Sequence, residues 1–373
     1  MWKSSLPRSL TLFQERRIPL NQNHEEKLLE IQHLKKYFEI KGGGALGKRK
    51  QTLKAVDDVS FDIYKGETLG LVGESGCGKS TLGRNILRLQ DPTDGQVLYG
   101  RKNILEYSKK DMRRLRKDMQ IIYQDPFGSL NPRFTIGQII GEMYEIHGLA
   151  KGAEKERKVK ELLELVGLDA SRYHSYPHEF SGGQRQRVGI ARALALEPEF
   201  IVADEPVSAL DVSVQSQVIN LLIQLKREMG LTLLFIAHGL NVVRHISDRV
   251  GVMYLGKLVE LSDTDSIFND PAHPYTAALL STVPEADPEA RKERIVLKGE
   301  VPSPASPPSG CNFRTRCPLA TERCSQEVPA WQETRNGHFT ACHYPLEKGQ
   351  TLKEAVAQRQ KPSDNKTNNL IMA

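Results

Sequence analysis

Residues 73–80 read Gly-Glu-Ser-Gly-Cys-Gly-Lys-Ser, the pattern G-x-x-x-x-G-K-[ST], and this stretch decides the fold. The β-rich run Thr68–Val72 precedes it, and a helical stretch with Leu82, Ile86 and Leu89 on one face follows. A strand, a glycine loop and a helix in that order make a phosphate-binding loop. Glycines let successive N–H groups converge on phosphate oxygens, and the helix N-terminus adds a positive dipole. Lys79 is expected to reach the β- and γ-phosphates, and Ser80 to offer its hydroxyl to Mg²⁺. The competing reading, a glycine-rich turn beside a surface lysine, does not account for the flanking pattern.

Outward from this loop, short β-rich runs alternate with helical ones from Leu28 to about Glu260, as in an α/β domain. Strands are expected at Glu67–Val72, Met119–Tyr123, Phe200–Ala203, Thr232–Ala237 and Val250–Tyr254. Lys151–Leu165 has helical spacing, with Val159, Leu162, Leu163 and Val166 on one face, inside a helical insertion of about residues 125–190. Phe200-Ile-Val-Ala-Asp204-Glu205 is an apolar strand ending in two acids, which carries carboxylates to the sheet edge where open α/β folds bind ligands. Asp204 is expected to hold Mg²⁺ through water, and Glu205 to polarise an attacking water. By itself such a strand end is as often a cap or turn; downstream of a phosphate loop it gains meaning. Phe180-Ser-Gly-Gly-Gln-Arg-Gln186 opens another helix, and a serine followed by two glycines there makes a second anion nest.

One triphosphate has no evident use for two nests in the same subunit. Leu-Ser-Gly-Gly-Gln is the signature of ABC ATPases, with Phe180 here in the leucine place, and the chain resembles that family from Leu28 to about Tyr344. The resemblance implies a P-loop NTPase fold of the ABC type: a RecA-like core, an antiparallel β subdomain and a helical subdomain. It implies two ATPase domains packed head to tail, with Ser181, Gly182, Gly183 and Gln184 of one closing on ATP held by Gly73, Glu74, Ser75, Gly76, Cys77, Gly78, Lys79, Ser80 and Thr81 of the other. Gln124 matches the glutamine that senses Mg²⁺ and couples to membrane subunits. Asp211, in Ser208-Ala-Leu-Asp211, matches the loop that talks across the dimer, and His238 the histidine on the γ-phosphate. Singly, Gln124 or His238 is more often an ordinary polar residue; in order and at these spacings they reinforce one another. Phe38 is the expected adenine-stacking residue, with Tyr37 as competitor. Gly239 departs from the acid that usually follows the histidine. Tyr123-Gln-Asp-Pro-Phe-Gly-Ser-Leu-Asn-Pro132 and Asp204-Glu-Pro-Val-Ser-Ala-Leu-Asp-Val-Ser-Val214 resemble the peptide and nickel importer branch.

Of five cysteines, Cys77 stands apart, while Cys311, Cys317, Cys324 and Cys342 crowd together at spacings C-x5-C-x6-C-x17-C. Four thiolates suit Zn²⁺ or a [4Fe–4S] cluster, and the absence of the common C-x2–4-C zinc spacing tilts towards iron–sulfur. Four unrelated buried cysteines is the bland alternative. His273-Pro-Tyr-Thr276, Gly310-Cys-Asn-Phe-Arg-Thr-Arg-Cys-Pro318 and Ala341-Cys-His343 resemble the C-terminal module of oligopeptide importer ATPases, where four cysteines hold a [4Fe–4S] cluster. That proline-rich module buries little apolar surface of its own, so a structural staple is the expected role, ahead of electron transfer.

Composition sets the remaining bounds. Hydrophobic residues at 39% and charged residues at 26% allow a globular core, and no apolar run approaches the ~18–20 residues of a membrane span. Lys plus Arg (52) exceed Asp plus Glu (46) by six, too little to argue for nucleic acid. Met1–Leu20 is basic, lacks an apolar core and contains Pro7 and Pro19; an unstructured extension is expected, with a transit peptide left open. The expected layout is an extension over 1–27, an ABC ATPase domain over 28–260, an irregular Cys-rich module over 261–345, and a disordered polar tail over 346–373. Gly42–Lys50 reads as a flexible basic loop.

The resemblance to the second ATPase subunit of a peptide importer implies a peripheral protein at the cytoplasmic face of the inner membrane. Its expected partners are a related ATPase chain, two permease subunits and, indirectly, an extracytoplasmic binding protein. Nickel or another small solute is the alternative cargo. A soluble ABC ATPase on ribosomes or DNA is disfavoured by the single phosphate loop and lack of heptads, and a decayed iron–sulfur regulator by intact Lys79, Asp204, Glu205 and His238.

Overall fold

The computed structural model describes residues 26–41, 50–282 and 295–360. The N-terminal extension, most of the basic loop and the end of the tail lie outside these residues; Lys50 itself begins a strand. The chain divides into two units, Met1–Leu258 and Val259–Ala373.

The first unit contains two sheets. Strands β1 (Lys27–Lys41), β2 (Lys50–Tyr64), β4 (Asp94–Tyr99) and β5 (Lys102–Asn103) pair antiparallel in the order β2-β1-β4-β5. The second sheet runs β9-β3-β8-β7-β6, all parallel, from β3 (Thr68–Val72), β6 (Met119–Ile122), β7 (Phe200–Asp204), β8 (Thr232–Ile236) and β9 (Arg249–Tyr254). Every residue of β3, β7 and β8 is buried. Their unbroken apolar runs therefore belong to strands covered on both faces, as parallel strands are.

Helices α1 (Lys79–Ile86), α2 (Lys109–Leu115), α6 (Val212–Met229) and α7 (Leu240–Ile246) accompany the strands. Leu82 and Ile86 of α1 are buried as the periodicity predicts, but the helix ends at Ile86 and Leu89 is exposed. Between β6 and β7 the chain forms α3 (Ile136–His147), α4 (Gly152–Leu165) and α5 (Gly182–Leu194). Helix α3 starts at a capping box of Thr135 and Gln138, and α4 buries Val159, Leu162 and Leu163. Val166, just past its end, is buried with them.

In the second unit, β10 (Lys257–Asp263), which spans the division, pairs with β12 (His338–Thr340), and β12 with β11 (Gln332–Arg335). Short helices α8 (Thr264–Asn269), α9 (Pro274–Leu280) and α10 (Glu322–Gln326) surround them. Fully buried Glu260 accepts N–H bonds from Ala272 (2.5 Å) and His273 (3.0 Å) and meets Nε2 of His338 at 2.6 Å.

One expectation is overturned. The segment from Leu346, expected as a disordered tail, forms α11 (Leu352–Gln360). Leu346, Leu352 and Ala355 pack with Ala278 and Leu319 in one buried cluster. The polar composition hid this, because two buried residues of the helix, Leu352 and Ala355, with Leu346 ahead of it, suffice to dock so short an element.

Candidate active site

The phosphate loop leaves β3 and enters α1 through Gly78, whose φ is +106°. A side chain there would bring its Cβ to 2.0 Å from the Ala55 carbonyl oxygen, and one at Gly73 to 2.2 Å from that of Met253. The loop is thus wedged between β2 and β9, and only glycine fits where the backbones touch. Lys79, almost wholly buried, donates from Nζ to the carbonyls of Gly73 (2.8 Å) and Glu74 (3.2 Å). Its ammonium therefore lies against the loop it belongs to.

Ser80 donates from Oγ to Oδ1 of Asp204 at 2.6 Å, bringing the loop to the end of β7. The other carboxylate oxygen, Oδ2, is buried without a hydrogen-bond partner, although Arg84 stands 3.6 Å away. A hydroxyl and a carboxylate with a spare oxygen form the hard-oxygen donor set that Mg²⁺ prefers, so the residues fit that ion. The sequence reading missed Arg84; a basic residue one turn into a helix carries no signal by itself.

Glu205 follows Asp204 with φ +49°, a region non-glycine residues rarely adopt, at a cost of about 1–3 kcal/mol. Its N–H donates to the Ile236 carbonyl at 3.0 Å. The turned backbone places the carboxylate between two partners: Oε1 lies 2.5 Å from Nε2 of His238, and Oε2 accepts from Nε2 of Gln124 at 2.7 Å. Residues 81 positions apart are thus joined at one carboxylate. Gly239 caps α7 without a side-chain bond, and a Cβ there would make only ordinary contact with Val242.

Ser181, exposed, caps α5; its Oγ accepts from the Gln184 N–H (3.3 Å) while its own N–H donates to Oε1 of Gln184 (3.0 Å). A Cβ on Gly183 would meet Val214 of α6 at 2.3 Å, and Gly182 faces Leu210. Exposed Asp211 caps α6 from its backbone alone. These residues take no part in the hydrogen bonds that join Gln124, Glu205 and His238.

Phe38 sits half-buried on β1, with the Lys36 ammonium 5.1 Å from its ring centre. Tyr37 is engaged elsewhere, donating its hydroxyl to Oδ1 of Asp57 at 2.5 Å.

In the second unit, Cys311, Cys317, Cys324 and Cys342 line one cavity together with His273, Phe313 and Leu319. Burial and the neighbouring thiols push Cys317 up to about 12, and the same causes raise Cys311 and Cys342. The Tyr344 N–H donates to Sγ of Cys342 at 3.3 Å. Among the described residues, no three His, Cys, Asp or Glu side chains are grouped so as to hold a single metal ion. No helix among them is long and apolar enough to cross a membrane.

Known proteins resemble this chain along most of its length. The ABC transporter family matches residues 56–208, and the family described as "Oligopeptide/dipeptide transporter, C-terminal region" matches residues 259–324. The chain is 56% identical over 324 residues to the oligopeptide transport ATP-binding protein AppF of Bacillus subtilis, covering 86% of this chain and 98% of that one. It is 53% identical over 326 residues to the oligopeptide transport ATP-binding protein OppF of Haemophilus influenzae, covering 86% and 98%. Among solved structures, the ADP- and phosphate-bound dimer of the ATP-binding cassette MJ0796 superposes with TM-score 0.56 at 28% identity, over 63% of this chain and 98% of that one. CbiO1 of Clostridium perfringens gives 0.55 at 27%, over 66% and 92%.

Proposed function

Because this chain belongs to the family of oligopeptide and dipeptide ABC transporter ATP-binding proteins, we propose that it hydrolyses ATP to energise import of di- or oligopeptides. The observation that carries the reading is the Glu205 carboxylate, held between Gln124 and His238 one residue beyond the Ser80–Asp204 bond. Ser80, Asp204 and Gln124 would hold Mg²⁺, which neutralises phosphate charge when bound. Lys79 and the loop N–H groups bind the β- and γ-phosphates, Phe38 stacks on adenine, and Glu205 takes a proton from the attacking water while His238 orients that carboxylate. The exposed Ser181–Gln184 nest and Asp211 belong to a second ATPase chain's nucleotide, so the working unit is a dimer seated on two permease subunits at the cytoplasmic face of the membrane. This division of labour fits a Ser181 hydroxyl that is exposed and bonded within its own helix start, to the Gln184 N–H.

The four thiols in the second unit we read as ligands of a [4Fe–4S] cluster that staples a proline-rich chain. Support comes from their convergence on one cavity. Anaerobically purified protein with a broad visible absorption and matching iron and sulfide supports the cluster; stoichiometric zinc or no metal rejects it.

Transport is tested by reconstituting the chain with co-purifying membrane partners in vesicles. ATP-dependent peptide uptake is expected. Uptake of nickel in place of peptide, or absence of any integral membrane partner, overturns the cargo or the transporter assignment respectively.

A further inference from the structure

We propose that Asp57 is a positioning residue that latches the strand bearing Phe38 to the phosphate loop, holding base and triphosphate sites in fixed register. The proposal rests on Phe38 as the base-stacking residue.

The latch is a continuous path through the first unit. On β1, Tyr37 donates its hydroxyl to Oδ1 of Asp57 on β2 at 2.5 Å, and its N–H to Oγ1 of Thr93 at 2.9 Å. Asp57, nearly buried, also receives the Lys257 ammonium at 3.2 Å and the Lys54 ammonium at 3.7 Å. Its own N–H donates to the Gly256 carbonyl at 2.8 Å, and the Gly256 N–H donates to the carbonyl of Cys77, inside the phosphate loop, at 2.9 Å. The turn that makes both bonds is stiff. Leu255 and Gly256 have φ of +43° and +78°, and a Cβ on Gly256 would meet the Lys54 carbonyl oxygen at 2.8 Å. Burial pushes the Asp57 carboxyl up, but the Tyr37 hydroxyl and the two lysines outweigh it and hold it below its ordinary range. A charged acceptor makes the hydroxyl bond one of the stronger kind.

The consequence follows from strand alternation. Successive side chains on β1 point to opposite faces, so engaging Tyr37 leaves Phe38 on the other face with its orientation fixed. The phosphate loop packs closely against the Met253 and Ala55 carbonyls at Gly73 and Gly78, and neither approach involves the Tyr37 hydroxyl. Loosening the latch therefore frees the base site and leaves the phosphate site in place.

The full chain is titrated calorimetrically with Mg²⁺-ATP and with Mg²⁺-tripolyphosphate, which occupies only the phosphate loop. Tyr37→Phe is expected to weaken ATP about threefold to tenfold while tripolyphosphate binding stays unchanged. Asp57→Asn, which keeps an acceptor oxygen for the hydroxyl, should lie between it and the parent. Melting temperatures identify any variant that fails to fold, and either variant alone suffices. Equal loss for both ligands, or no loss for ATP, overturns the latch. Phe38→Ala separates the two readings. Selective ATP loss in Phe38→Ala without it in Tyr37→Phe rejects the latch alone, whereas no selective loss in Phe38→Ala rejects base stacking and the latch with it.

Discussion

The carboxylate of Glu205 lies 2.5 Å from Nε2 of His238, while its other oxygen accepts from Gln124 at 2.7 Å. A carboxylate held at both of its oxygens keeps its direction. That is the condition for accepting a proton from water at a fixed point.

Glu205→Gln keeps the shape and removes the proposed base. Hydrolysis is expected to fall about 10²–10⁴-fold while ATP binding persists, measured as phosphate release beside equilibrium nucleotide binding. Unaltered turnover would reject Glu205 as the base.

Gly78→Ala places a methyl group against the Ala55 carbonyl at a left-handed position. The loop has to move, because the obstacle is backbone and not a flexible side chain. Loss of measurable binding of both ATP and tripolyphosphate is expected, and retention of either contradicts the wedge.

Leu352→Ala opens a hole in the cluster formed with Leu346, Ala278, Leu319 and Ala355. A buried leucine truncation costs about 2–5 kcal/mol, so the second unit should melt earlier and show faster amide exchange around Ala278. An unchanged exchange pattern would mean that α11 is not docked.

Glu67 supplies a pH dependence. Its carboxyl is fully buried, and burial outweighs the attraction of Arg249 at 3.3 Å, pushing it from 4.5 up to about 7, with Asp248 adding in the same direction. The folded chain therefore binds this proton more tightly than the unfolded one. The contribution is complete below about pH 4.5 and lost as pH rises through about 7. Urea midpoints of the parent should fall relative to Glu67→Gln between pH 5 and pH 8; a constant difference removes Glu67 from the account.

The sequence made the chemistry at the sheet edge legible because glycines, a lysine and acids at strand ends have few other uses in that order. Phe200–Asp204 was readable for the same reason: an apolar run that stops at a carboxylate marks its own end. What stayed hidden was local geometry. Nothing in Ser-Ala-Leu-Asp or Ser-Gly-Gly-Gln announces that a Cβ on Gly183 would meet Val214 at 2.3 Å, since the neighbour comes from another helix. Helix α11 escaped notice because its apolar residues are sparse, and the partners that bury them lie up to 77 residues upstream of Ala355, at Ala278. Sequence similarity favours Phe38 over its neighbour Tyr37 for stacking, but it does not announce the bond from the Tyr37 hydroxyl to Asp57.

Helix α5 has one end in the core, where Val188, Ile190, Ala191 and Leu194 are buried, and the other at exposed Ser181. Near that exposed tip, Gly183 lies so close to α6 that an added Cβ would meet Val214 at 2.3 Å. The thirteen-residue helix is thus anchored at both ends, and an alanine at Gly183 has to push Ser181 or α6 out of place.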